Sequence, residues 1–136
     1  MLRIAVCDDE KYYQNYIKRL VLNEFKMRKI CCEVDLFDSG DKFIALGEEI
    51  TKYRIVFLDI NMEGINGIDT VKEIRKRTSE LYVVFVTAFI TYAIEGYKYD
   101  VVRYLLKGND NFEGLLTECI DAVLQKINFQ VEVKEF

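Results

Sequence analysis

Five residues able to do polar chemistry stand where apolar runs of strand length stop. Asp8 and Asp9 follow LRIAVC (2–7), Asp59 closes RIVFLD (54–59), Thr87 closes LYVVFVT (81–87) and Lys107 closes VVRYLLK (101–107). If these runs are strands of one parallel sheet, three carboxylates, a hydroxyl and an ammonium converge on one crevice. Crowded carboxylates repel one another and hold protons more tightly unless a cation lies between them. Hard oxygen ligands in a shallow site suit Mg²⁺, which keeps part of its water shell and shares coordination with phosphate oxygens. An aspartate beside such a cation can attack phosphorus. Lys107 would bring a mobile positive charge to the phosphoryl oxygens, and Thr87 one hydrogen bond. Singly, each residue has an ordinary role: an aspartate after a strand caps a helix or a turn, and a terminal lysine is solvated. Independent caps have no reason to gather five such groups at the ends of four strands.

The elements that must position these groups alternate along the chain. Besides the four runs above, CEVDLF (32–37) has strand length. IAV, IVFL and YVVFV are continuous apolar stretches, as expected of parallel strands covered on both faces. CEVDLF carries Glu33 and Asp35, and VVRYLLK carries Arg103, which suits strands at the two sheet edges. Helical spacing places Tyr13, Tyr16, Ile17 and Leu20 on one face of a first helix, and Ile68, Val71 and Ile74 on a third. The fifth is marked by Phe112, Leu115, Leu116, Cys119, Ile120, Val123, Leu124 and Ile127. The second (40–50) is interrupted by Gly47, and the fourth (90–98) is crowded with β-branched and aromatic residues. This order predicts an α/β fold: a flavodoxin-like (βα)5, doubly wound parallel five-stranded sheet in the order 2-1-3-4-5. In such a sheet the site lies beyond the carboxyl ends of the strands. Residues 1–127 read as one domain, and 128–136 as a tail or the start of a linker.

Composition narrows the possible functions. With 136 residues the chain can bury a full core. A net charge of −4 and a pI near 5 lack the basic footprint of direct nucleic-acid binding. No apolar run approaches the roughly 20 residues of a membrane span, and the N-terminus lacks the layout of a secretory signal. The spacing of Cys7, Cys31, Cys32 and Cys119 fits no zinc or redox pattern, so they read as reduced thiols in a cytoplasmic protein. The chain has no histidine, so it supplies no histidine base or metal ligand.

CDDE after the first strand, FLDINMEGINGID around Asp59, FVTA ending at Ala88 and YLLK ending at Lys107 resemble receiver domains of two-component response regulators. The likeness runs from Leu2 to about Ile127 in the right order. It implies a signalling receiver that catalyses only its own phosphorylation and dephosphorylation, with Asp59 accepting a phosphoryl group from a sensor histidine kinase. Asp9, Asp59 and the backbone carbonyl of Asn61 would bind Mg²⁺, with Asp8 acting through a metal-bound water. Thr87, Lys107 and the backbone N–H groups of Asn61 and Ala88 would contact the phosphoryl oxygens. Gly67 matches the glycine opening the third helix. Tyr104 matches a switch aromatic that turns inward when Thr87 shifts, and it reads equally as a half-buried edge tyrosine.

The segment TAFITYAIEGYKYDVVRYLLK is similar to receivers that precede a LytTR-type DNA-binding domain, which implies a longer transcriptional regulator; a free-standing receiver is the alternative. The family usually places proline after the lysine, whereas here Gly108 follows, so a trans peptide and a looser Lys107 are expected. Signal output is expected through the fourth helix, fifth strand and fifth helix, with Tyr97, Lys98 and Arg103 on a phosphorylation-dependent dimer surface. Phe89 is expected to shield the phosphoryl group from water and slow its loss. Two other classes fit less well. A phosphatase of the haloacid dehalogenase type wants a second carboxylate where Asn61 stands, and its nucleophile on the first strand. A flavin-mononucleotide module wants a loop without the carboxylates of CDDEK.

Overall fold

The computed structural model describes residues 1–60, 66–88 and 98–128 in full, and the helical backbone of 129–135. Five parallel strands, β1 (Leu2–Cys7), β2 (Cys32–Phe37), β3 (Ile55–Leu58), β4 (Tyr82–Thr87) and β5 (Val101–Leu106), form one sheet ordered β2-β1-β3-β4-β5. The fold class and strand order expected from sequence are therefore observed.

Alternation along each strand divides the core into two layers. Ile4, Val6, Phe57, Val84 and Val86 face helix α1 (Lys11–Met27) and the C-terminal helix (Phe112–Glu135). Ala5, Cys7, Val56, Leu58, Val83 and Phe85 face the other way, toward α2 (Gly40–Ile44), a 3₁₀ helix (Gly47–Lys52) and α3 (Gly67–Arg77). β3 is buried along its whole length because helices cover both faces. At the edges, Glu33 and Arg103 are exposed and Asp35 is half-buried, as their strands' composition implied.

Three elements depart from the sequence reading. The second helix ends at Ile44, and Gly47, at φ +62, turns the chain into the 3₁₀ segment, a conformation that costs glycine little. The buried stripe of α1 is Gln14, Ile17, Val21 and Phe25, while Tyr13, Tyr16 and Leu20 flank it half-buried. The final helix continues past Ile127 to Glu135, since no glycine or proline after Gly114 interrupts it. Its inward stripe of Leu116, Cys119, Ile120, Val123 and Ile127 matches the predicted face. The predicted fourth helix, with Phe89 and Tyr97, and Asn61 after β3 lie outside the described residues.

Candidate functional site

The strand tips converge. Past the end of β1, the Asp8 amide donates to the Phe37 carbonyl of β2, while the Asp59 amide donates to the Cys7 carbonyl. The Lys107 amide donates to the Thr87 carbonyl, which fixes the tip of β5 to that of β4. Asp8 is 1% exposed, Asp59 4% and Thr87 0%, whereas Asp9 and Ala88 lie exposed at the rim.

The Lys107 ammonium sits inside this crevice, 2.8 Å from Asp8 Oδ2 and 2.9 Å from Asp59 Oδ2. Its side chain is only 5% exposed. Glu10 Oε2 lies 3.5 Å away, and the Tyr13 ring centroid 4.3 Å away. No cis peptide occurs among the described residues, and Gly108 adopts φ +79. The trans link expected at Lys107–Gly108 is present. Two buried carboxylates demand a counter-charge, and Lys107 supplies it.

The electrostatics follow from burial. Burial pushes the Asp8 carboxyl up to about 6; the Asp59 charge pushes the same way, against hydrogen bonds from Lys107 and the Glu10 amide. Burial alone would lower the Lys107 ammonium, but hydrogen bonds to Asp8 and Asp59 outweigh it and raise it. Asp8, Asp9 and Asp59 each offer one carboxylate oxygen within 4.8 Å of the others. An all-oxygen donor set with this excess of negative charge fits a hard divalent cation such as Mg²⁺.

Three contributors were not evident in the sequence. Gln14, 2% exposed, donates through Nε2 to the Asp8 carbonyl at 2.6 Å and to Asp38 Oδ1 at 2.8 Å, clamping the loop that carries the aspartates. Nothing in helical periodicity marks a buried glutamine, because its value lies in loops distant in sequence. Glu10, in the CDDE string, and Tyr13, on the packing face of α1, both reach Lys107, which their positions in the sequence do not reveal. Asp8 does serve its loop as well, since Oδ1 accepts the Glu10 amide at 2.9 Å.

Gly67 is required for packing rather than for an unusual backbone angle. A Cβ there would lie 2.6 Å from the Asp59 carbonyl oxygen and 2.6 Å from Ile60 Cα. The Asn66 side chain caps α3 by accepting the Asp69 amide at 2.9 Å. Tyr104 is half-buried, with its ring 6.0 Å from that of Phe85 in an edge-to-face contact. Arg103 and Lys98 are exposed.

Known proteins resemble the chain in both sequence and fold. Sensory transduction protein LytT of Bacillus anthracis is 31% identical over 137 residues, covering 99% of this chain and 52% of the relative. Sensory transduction protein LytR of Staphylococcus haemolyticus is 28% identical, covering 96% of this chain and 46% of the relative. The chain thus spans about half the length of the curated relatives it matches. Among solved structures, the response regulator TrrA of Thermotoga maritima, in complex with Mg²⁺ and BeF, matches with a TM-score of 0.72 and 28% identity over 90% of this chain and 99% of that one. The response regulatory domain of mrkE from Klebsiella pneumoniae shares the fold, with a TM-score of 0.79, 21% identity and coverage of 92% and 97%. The family model for the response regulator receiver domain matches residues 4–119. This chain belongs to the response regulator receiver domain family, and its curated relatives are of the LytT and LytR type.

Proposed function

We propose that this receiver accepts a phosphoryl group on Asp59 from a sensor histidine kinase and passes the resulting change to an output domain that controls transcription. One observation carries the reading: a buried ammonium, Lys107, bridges Asp59 and Asp8 at the strand tips, beside Asp9. An Asp59 carboxylate oxygen attacks the phosphorus, the P–N bond to the donor imidazole breaks, and the departing nitrogen takes up a proton. Lys107 shifts from pairing two carboxylates to pairing the new phosphoryl oxygens. Thr87 and the backbone N–H groups of Ala88 and Asn61 donate to the remaining ones. Asp9, Asp59 and the Asn61 carbonyl would hold Mg²⁺, with Asp8 acting through a water, and the ion would supply positive charge that lowers repulsion between this acidic pocket and an anionic donor.

Tyr104, next to the β4–β5 tips, is the residue through which a shift of Thr87 reaches the edge of the sheet. β5 and the C-terminal helix, with Lys98 and Arg103, are the described part of the surface for a phosphorylation-dependent homodimer; the predicted fourth helix and Tyr97, also assigned to it, lie outside the described residues. The greater length of the LytT and LytR relatives supports an output domain, which contacts DNA in place of this acidic domain. Among the described residues no helix is long and apolar enough to cross a membrane. The four cysteines are free thiols, which suits a cytoplasmic protein.

Intact-mass spectrometry after acetyl phosphate and Mg²⁺ tests the reading. One added phosphoryl group is expected, absent from Asp59→Asn and absent when EDTA replaces Mg²⁺. Unchanged uptake by Asp59→Asn rejects the acceptor.

A further inference from the structure

We infer that Tyr13 is a positioning residue for Lys107: its ring face holds the ammonium in the crevice while the surrounding carboxylates change partners. The inference rests on the reading of Asp59 as phosphoacceptor. Among the described residues, Asp8, Asp59, Glu10 and the Tyr13 ring surround the Lys107 nitrogen. The first two are engaged in the chemistry itself. One Asp59 oxygen becomes bonded to phosphorus, and both aspartates would be drawn toward a bound metal. Glu10 is 3.5 Å away with its side chain 58% exposed, so solvent screens its attraction. The Tyr13 ring carries no charge and ligates no metal. Its attraction for an ammonium over its face is independent of what the carboxylates are doing.

The backbone fixes only the base of the lysine: its amide is tied to the Thr87 carbonyl, while Gly108, at φ +79, follows with no side chain and with open space where a Cβ would stand. The lysine stem adds freely rotating bonds of its own.

The ring, by contrast, is held. Tyr13 meets Tyr12 edge-to-face at 5.1 Å and Tyr16 at 6.3 Å. Tyr16 in turn stacks on Phe112 at 5.7 Å, at the start of the C-terminal helix. Aromatic contacts therefore tie the first turns of α1 to the segment that leaves β5, and the lysine lies between these two anchorages.

Two substitutions separate the ring from its bulk and from its hydroxyl. Tyr13→Leu keeps an apolar side chain and removes the π face; Tyr13→Phe keeps the face and removes the hydroxyl. Two measurements are made on the full chain: phosphoryl uptake from acetyl phosphate with Mg²⁺, and the NMR shift of the labelled Lys107 εCH₂ group. The parent and Tyr13→Phe are expected to show an upfield ring-current shift that Tyr13→Leu lacks. The limiting uptake rate should fall about tenfold in Tyr13→Leu and return to within about twofold of the parent in Tyr13→Phe, with the Mg²⁺ dependence unchanged. Parent-like uptake by Tyr13→Leu, or equal slowing of both variants, overturns the inference. If Tyr13→Leu does not fold, as judged by its melting curve, Tyr13→Met takes its place under the same criteria. Failure of the underlying reading looks different: the parent itself takes up no phosphoryl group, and the inference falls with it. Normal parental uptake without a ring-current shift overturns the placement of Tyr13 alone.

Discussion

The two ends of the sheet use similar residues to opposite effect. Toward the amino ends of the strands, charge is matched. Arg3 donates to Asp35 at 2.9 Å, the Tyr53 hydroxyl donates to the same carboxylate at 2.6 Å, and the Arg3 guanidinium lies 4.9 Å over the Tyr53 ring. Arg75 donates to the carbonyls of Leu81 at 2.8 Å, Tyr99 at 3.0 Å, Asp100 at 3.2 Å and Thr78 at 3.5 Å, fastening the starts of β4 and β5 to α3. At the carboxyl ends, Asp8, Asp59 and Glu10 face the Lys107 ammonium, with Asp9 beside the two aspartates. Two aspartates record the contrast. The Tyr53 hydrogen bond, helped by Arg3, holds the Asp35 carboxyl below its ordinary value, while burial pushes Asp8 up to about 6. A matched end stabilises the fold; an end left with surplus negative charge can still gain from a cation, and that difference marks the site.

Removing the Lys107 ammonium should cost most. Lys107→Met, unfolded in urea at pH 8 in EDTA, should lose roughly 3 kcal/mol, because two buried carboxylates lose their counter-ion. A loss no larger than that of an exposed-lysine control would break the comparison. At the matched end, Arg75→Gln should lose about 2 kcal/mol, since several carbonyls in the segments leading into β4 and β5 lose a donor. Its phosphoryl uptake should equal the parent's; slowed uptake would show that the two ends are not separable.

The smallest effect is the pH dependence of Asp8. Its folded value of about 6 lies above the ordinary 3.8 of an aspartate, so the folded state binds the proton more tightly. Without metal, this group therefore adds stability as pH falls from 7.5 toward 4.5, by roughly 1–2 kcal/mol. Asp8→Asn should be more stable than the parent at pH 7.5 in EDTA, and the two should converge at pH 4.5. Mg²⁺ should raise the parent's stability at pH 7.5 and do so less at pH 5. Urea titrations of both proteins at each pH sharpen or break this point.

The sheet was legible because continuous apolar runs leave a parallel strand little alternative, and Glu33, Asp35 and Arg103 marked the edges. The acidic site was legible because each of its charged members ends a strand, where topology alone brings them together. The structure further shows that Lys107 points inward. Gln14 and Arg75 were not legible. Each sits on a helix among residues of ordinary helical spacing, and each acts through backbone carbonyls that only the folded chain brings near. The end of the second helix at Ile44 is not legible because only the folded backbone shows Gly47 as a left-handed turn into a separate 3₁₀ segment. The end of the last helix is not legible because its marked apolar face stops at Ile127 while no glycine or proline beyond it breaks the helix.

The tight seat of Gly67 against the main chain of Asp59 leaves no room for even a methyl group, so the backbone there has no slack toward α3. If Asp59 takes up a phosphoryl group as proposed, the added bulk meets a closed floor on that side. The side left to yield is then that of the β4 and β5 tips, joined by the Lys107–Thr87 hydrogen bond.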